Sequence, residues 1–195
     1  MGQSLVRSLQ GAYDSAVFPA NIIKPGCTFA VASSGQFGEN FEADTFNNQV
    51  QVFMYRANMN SHLRTSGRAQ NPGKRPNPLS VDLNLLFSIW MGSAEDEHLL
   101  LAWLMRELHL NPVLDASTLT EEAGWDASDT VQIIPAELST EDLMRIWDAI
   151  VPSYRLSVSY IARVVRLDPD PGSAEEFPAV VATRVEYAMP NGRER

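Results

Sequence analysis

The chain is poor in residues that do chemistry. Its 195 residues include one cysteine, Cys27, and three histidines, His62, His98 and His109. A single cysteine rules out an internal disulfide and any cysteine-built zinc cluster. Cys27 precedes Thr28, Phe29, Ala30 and Val31, the composition of a buried strand, and reads as a packing residue rather than a reactive thiol. His98 and His109 have no ligand partner at i+4, and a metal needs converging ligands rather than isolated imidazoles. No metal centre or other cofactor is expected.

Long apolar runs are also missing. Nothing approaches the roughly 20 residues that cross a bilayer. The first residues lack the basic, then apolar, then small order of a secretory signal. Cytoplasmic synthesis and folding is the expectation, compatible with later release as part of a larger particle. Phosphate-binding loops and nucleophile elbows are absent as well. GQFGEN and NPGKRPNP lack the spacing and the following helix of the former, and no G-x-S-x-G occurs. Glu95, Asp96 and Glu97 read as a solvated helix start rather than an acid/base pair, which needs opposed groups of different proton affinity. No catalytic residue is expected; a small hydrolase with a composite site is an alternative reading.

Charge is present but lopsided. The net charge is -9, with residues 1–78 at +3 and residues 79–195 at -12. An acidic surface opposes general association with nucleic acid or anionic membranes. The exception is SHLRTSGRAQNPGKRPNP, residues 61–78, a long Pro- and Gly-broken loop carrying Arg64, Arg68, Lys74 and Arg75 with no acid. A loop of this length is either a mobile, merely solvated connection or a partner-binding one. No aromatic residue interleaves the charges for base stacking, so an acidic protein surface fits better than nucleic acid, which remains an alternative use of the segment between residues 64 and 75.

The rest of the chain alternates between strand and helix patterns. SLVRSLQGAY, residues 4–13, reads as a short amphipathic helix weakened by Gly11. PANIIKPG is a punctuated connection, CTFAVAS a short strand and SGQFGEN a mobile stretch. NNQVQVFMYRAN and LSVDLNLLFSIWMG alternate as two-sided strands. In the second, Val81, Leu83, Leu85, Phe87, Ile89 and Met91 form the apolar register and Trp90 stands opposite it, placed to cover a second apolar layer or meet another subunit. Ser93 with Asp96, and Ser139 with Glu141 and Asp142, mark two strong helix starts. Trp103 and Trp147 fall in the apolar stripes of those helices. Trp125 sits in acidic, irregular surroundings, where it is a weak candidate partner anchor. TVQIIP is a strand candidate. In YRLSVSYIARVV, Tyr154, Leu156, Val158, Tyr160, Ala162 and Val164 are expected on one side. PAVVATRVEYAM, with Arg184, Glu186 and Tyr187, is a last strand candidate. The expected fold is α+β: one domain with a mixed or largely antiparallel sheet packed by two main helices.

The order NNQVQVFMYRAN, LSVDLNLLFSIWMG, EDEHLLLAWLMRELHLNPVL, LSTEDLMRIWDAIVPSYRLSVSYIARVVRLD resembles the amino-terminal domain family of tail or tube terminator (cap) proteins of phage-tail-like contractile injection systems. The resemblance covers about residues 4–168, carried by His98-Leu99-Leu100, Asn111–Leu114, Leu143 with Trp147, and Tyr154–Tyr160. It departs from the family pattern in a short amino-terminal helix and a substantial GQFGENFEAD excursion. The resemblance implies a terminator-like domain over residues 1–168; residues 169–195, beyond it, read from their own alternation as a C-terminal excursion with a sheet or partner-binding strand. It further implies a non-enzymatic homo-oligomer, expected to be a hexameric ring, at the distal end of an inner tube. Such a ring stops tube growth and helps coordinate the end of the sheath. Arg64, Arg68, Lys74 and Arg75 are candidate docking residues. Arg184, Glu186 and Tyr187 lie on a strand that could complete an edge with a neighbouring or sheath chain.

Overall fold

In a computed structural model the described residues are 1–38, 41–42, 46–60, 79–119, 125 and 128–167. They form α1 (Gly2–Ser15), β1 (Thr28–Ala32), a 3-10 turn (Ser34–Phe37), β2 (Gln49–Met59), β3 (Leu79–Trp90), α2 (Ala94–Leu110), β4 (Val113–Leu114), β5 (Val131–Pro135), α3 (Thr140–Asp148) and β6 (Ser157–Leu167). The strands make one sheet in the order β1-β2-β3-β6-β5-β4. Only β1 with β2 is parallel; every other neighbour is antiparallel. This is the mixed, largely antiparallel α+β sheet the alternation implies.

The expectation of two main helices is corrected to three among the described residues. Gly11 lowers helix propensity by about 1 kcal/mol relative to Ala, yet it faces open space. The opposite side of α1 buries Leu5, Val6, Leu9 and Tyr13. Tertiary burial outweighs propensity in short helices, so α1 packs as an integral part of the core. The two predicted starts form as the sequence indicates. Ser93 Oγ accepts from the Asp96 N–H at 3.1 Å and Ser139 Oγ from the Asp142 N–H at 3.0 Å. Each such cap contributes about 1 kcal/mol.

β3 is the hinge of the packing. Its odd residues Val81, Leu83, Leu85, Phe87 and Ile89 join α1 and α2 in one core. Its even residues Leu86 and Trp90 join Trp147 of α3 in a second core on the other face. Trp90 therefore covers a second apolar layer, as its register suggested. That layer is completed by a stretch expected to be mobile. Phe37 at the end of the 3-10 turn is buried, and it stacks on Phe46 at 5.6 Å and on Trp90 at 6.4 Å. Three aromatic residues in fifteen positions of polar, Gly-containing sequence show no period, so periodicity misses them.

The final strand also departs from simple alternation. Val81 pairs with Val165 but Leu83 pairs with Ala162, so β6 carries an extra residue against β3. The bulge sits at Val164, whose φ is 60°. Ala162 and Val165, not Val164, occupy the core. A second bulge interrupts β2 between Met54 and Arg56. Bulges bend and twist the strand that carries them. β4 is a two-residue strand from Asn111–Leu114, too short to show alternation.

The sheet edges are guarded. Gln10 of α1 accepts from the Phe29 N–H at 2.9 Å and donates to the Cys27 carbonyl at 3.4 Å, using its side-chain amide as a substitute strand along β1. β4, the other edge, is two residues long, and beyond it the edge passes to β5, where the Ile133 N–H reaches the Pro112 carbonyl at 2.7 Å. Two residues on in the same direction stands Pro135, which has no N–H to offer. Such devices stop a sheet from adding stray strands.

Candidate interaction surface

The residues proposed from sequence for partner binding, Arg64, Arg68, Lys74, Arg75, Arg184, Glu186 and Tyr187, lie outside the described residues. Both segments leave from one end of the sheet, where Leu79 of β3 pairs with Leu167 of β6. Met59, Leu79 and Leu167 are exposed there.

Among the described residues no three His, Cys, Asp or Glu side chains could share a metal ion. His98 and His109 are exposed on α2. Burial pushes the Cys27 thiol up to about 12, so it stays protonated at neutral pH and behaves as the packing residue its neighbours imply. Trp125 packs against the α1/α2 core instead of standing free as an anchor.

Two surfaces stand out instead. The first is the connection between α1 and β1, which holds an uncharged stretch from Ser15 to Ile23. It is pinned from behind. Tyr13 Oη donates to the Pro25 carbonyl at 2.7 Å, and the Ile22 N–H closes a turn onto the Pro19 carbonyl at 2.8 Å. Lys24 Nζ donates to the Tyr13 carbonyl and, at 3.1 Å, to the Asp14 carbonyl, satisfying the open end of α1. The same ammonium lies 4.6 Å from the centre of the Tyr13 ring. Phe18 packs edge-on against that ring at 6.0 Å. Held this way, Val17 and Ile23 point outward at 92% and 91% exposure, the two highest for large apolar side chains among the described residues.

The second surface lies on the opposite face of the sheet, where α3 covers only part of the strands. It is an open cleft of about 570 Å³. Ala136, Leu138, Ile146 and Ile161 give it a half-buried apolar floor, and the exposed Arg56, Glu137, Asp142 and Arg145 form its rim. Tyr55, whose hydroxyl bonds Ser159 Oγ at 3.0 Å, closes one side. An apolar centre ringed by charge is the usual anatomy of a protein contact.

Sequence reasoning passed over both. The signal for the first was the lack of charge from Ser15 to Ile23, of which only PANIIKPG has a reading, as a punctuated connection. The second is assembled from four separate elements and leaves no local trace.

Residues 4–180 match the family described as the Pvc16 N-terminal domain. Among solved structures, the sheath/tube terminator of an extracellular contractile injection system, PVC, in its extended state is similar over 98% of this chain, at 19% identity and a TM-score of 0.52. The chain spans 65% of that structure's length. The tube-terminating cap of the anti-feeding prophage aligns over 70% of this chain and 48% of its own, at 20% identity and a TM-score of 0.42. Among curated proteins none matches. With nearly the whole length matched, the chain belongs to the Pvc16 N-terminal domain family.

Proposed function

We propose that this protein is a structural cap of a contractile injection system. Several copies close into a ring, expected to be six, on the distal end of the inner tube; the ring stops tube growth and helps coordinate the end of the sheath. The family match over residues 4–180 carries this reading. The fold supports it, because apolar cores lie on both faces of its sheet while Val17 and Ile23 stand exposed on a connection held by hydrogen bonds. A tube end repeats one interface around an axis, and a closed ring meets it with many copies of one contact. Linked contacts multiply, so none has to be strong alone. The cap assembles in the cytoplasm and leaves the cell with any particle that is released.

Electron microscopy of assembled particles carrying a labelled copy of this chain tests the reading. Label at one tube terminus in a ring of fixed stoichiometry is the expected result. Label along the tube sides, or none on particles, overturns it. Deleting the chain should give tubes of uncontrolled length.

A further inference from the structure

We infer that copies of this protein join by a knob-into-cleft contact, in which Val17 and Ile23 of one copy enter the cleft beneath α3 of the next. The inference rests on the ring reading above and names the surfaces that build the ring. A ring needs a heterologous contact, in which two different patches of one subunit meet on neighbouring copies. Such patches must be complementary and must sit on different sides of the molecule. The α1–β1 connection and the α3 cleft satisfy both conditions.

Position comes first. Tyr13, which pins the knob, belongs to the core on the α1/α2 face, whereas Ile146 packs with the core on the α3 face. The knob therefore projects from the side of the sheet opposite the cleft. It also stands near the end where Gln49 pairs with Trp90, because β1 begins opposite Gln49. The cleft lies further along the strands, at Tyr55, Asn84 and Ile161.

Chemistry agrees. The knob brings two β-branched side chains on uncharged backbone and meets an apolar floor of Ala136, Leu138, Ile146 and Ile161. Of the two charges that flank it, Lys24 is turned back onto carbonyls of α1 and Asp14 Oδ1 accepts from Gln10 Nε2 at 2.9 Å. The charged residues of the cleft are at its rim and exposed, so they keep their water when an apolar group enters between them. A pinned loop also loses little conformational freedom on docking. Two side chains supply far less than the roughly 1,600 Å² typical of a stable pair. The contact is therefore suited to closed rings, where each copy uses both surfaces, rather than to isolated dimers.

The decisive experiment places a photo-crosslinker at the knob, Ile23→p-benzoylphenylalanine, in full-length protein assembled on tubes. Irradiation should give a ladder of linked copies, with the linkage mapped by mass spectrometry to residues 136–161. Linkage to the tube or sheath chain, linkage to another part of a second copy, or no linkage overturns the inference. If the labelled chain still rings the tube end in those cases, the cap reading survives and only the contact is wrong. Absence from tube ends altogether removes both. As a second readout, Ile23→Asp and Ala149→Glu change exposed side chains on opposite partners. Each should lower ring occupancy at tube ends at least tenfold with an unchanged melting temperature, and the double variant should be no worse than either. Full occupancy in the single variants counts against the contact.

Discussion

Asp82 and Val164 are 82 positions apart in the chain and joined by a 3.0 Å hydrogen bond from the Val164 N–H to Asp82 Oδ1. The same carboxylate accepts from Asn60 Nδ2, with both oxygens at 3.2 Å. One side chain of β3 thus ties down the bulge in β6 on one side and the end of β2 on the other. Asp82→Ala should cost about 1.5–3 kcal/mol, the range for hydrogen bonds to a charged group. Urea unfolding measures the loss, and faster amide exchange at Val164 locates it. An unchanged urea midpoint would show that the carboxylate does not hold the bulge.

The bulge has a conformational cost of its own. A β-branched residue at φ 60° crowds its Cβ against the backbone, at roughly 1–2 kcal/mol. Glycine removes that strain and loses about 0.5–1 kcal/mol of chain entropy in return. Because Val164 is also half-buried and its side chain is lost, Val164→Gly should change stability by no more than about 1 kcal/mol in either direction. At the next position Val165 is in the core, and Val165→Gly should destabilise by more than about 2 kcal/mol. Equal losses at both sites in thermal melts would contradict this backbone geometry.

Phe37 tests whether the excursion between β1 and β2 belongs to the folded body. It contacts Phe46, Phe53 and Trp90 and is fully buried. Phe37→Ala should cost about 3–5 kcal/mol, as for other core phenylalanines. A loss under about 1 kcal/mol in chemical denaturation would mean the aromatic stack contributes little.

Alkaline pH should weaken the fold in a defined window. Burial, with smaller contributions from the Cys27, Asp96 and Asp14 charges, raises the Tyr13 hydroxyl from 10.0 to about 12. Burial raises the Cys27 thiol from 9.0 to about 12. The unfolded chain gives up these protons first, so the stability they represent is complete below about pH 9 and is lost as pH rises to about 12. Urea midpoints across that range should fall steadily. Tyr13→Phe should flatten the upper part of the decline, and an identical slope in that variant would assign it elsewhere.

The basic loop makes a prediction on assembly. Neutralising Arg64, Arg68, Lys74 and Arg75 together should lengthen or broaden the distribution of tube lengths while leaving the melting temperature unchanged. Normal lengths in electron micrographs would remove the loop from docking.

Elements whose cause is local were legible in the sequence. Ser93 and Ser139 announce α2 and α3 because a cap needs only the next three residues. β3 announces itself because apolar residues fall at period two from Val81 to Met91, and Trp90 off that register pointed to the second core. Elements whose cause is distant were hidden. The alternation in β6 was carried through Val164 because nothing near that residue shows that Asp82 will hold it out of register. The aromatic stack of Phe37 and Phe46 has no period, and its template, Trp90, comes more than forty residues later. The helix α1 was underweighted because Gly11 speaks against it locally while β1 and α2 stabilise it from outside. The same separation hides the cleft, which exists only after β2, β3, β6 and α3 have met.

Consecutive residues of β3, Ile89 and Trp90, enter opposite cores. The two layers of this body therefore share one wall, a single strand thick. Any load on α3 reaches α1 and α2 through the backbone of β3, and a substitution that shifts that backbone is felt on both sides at once.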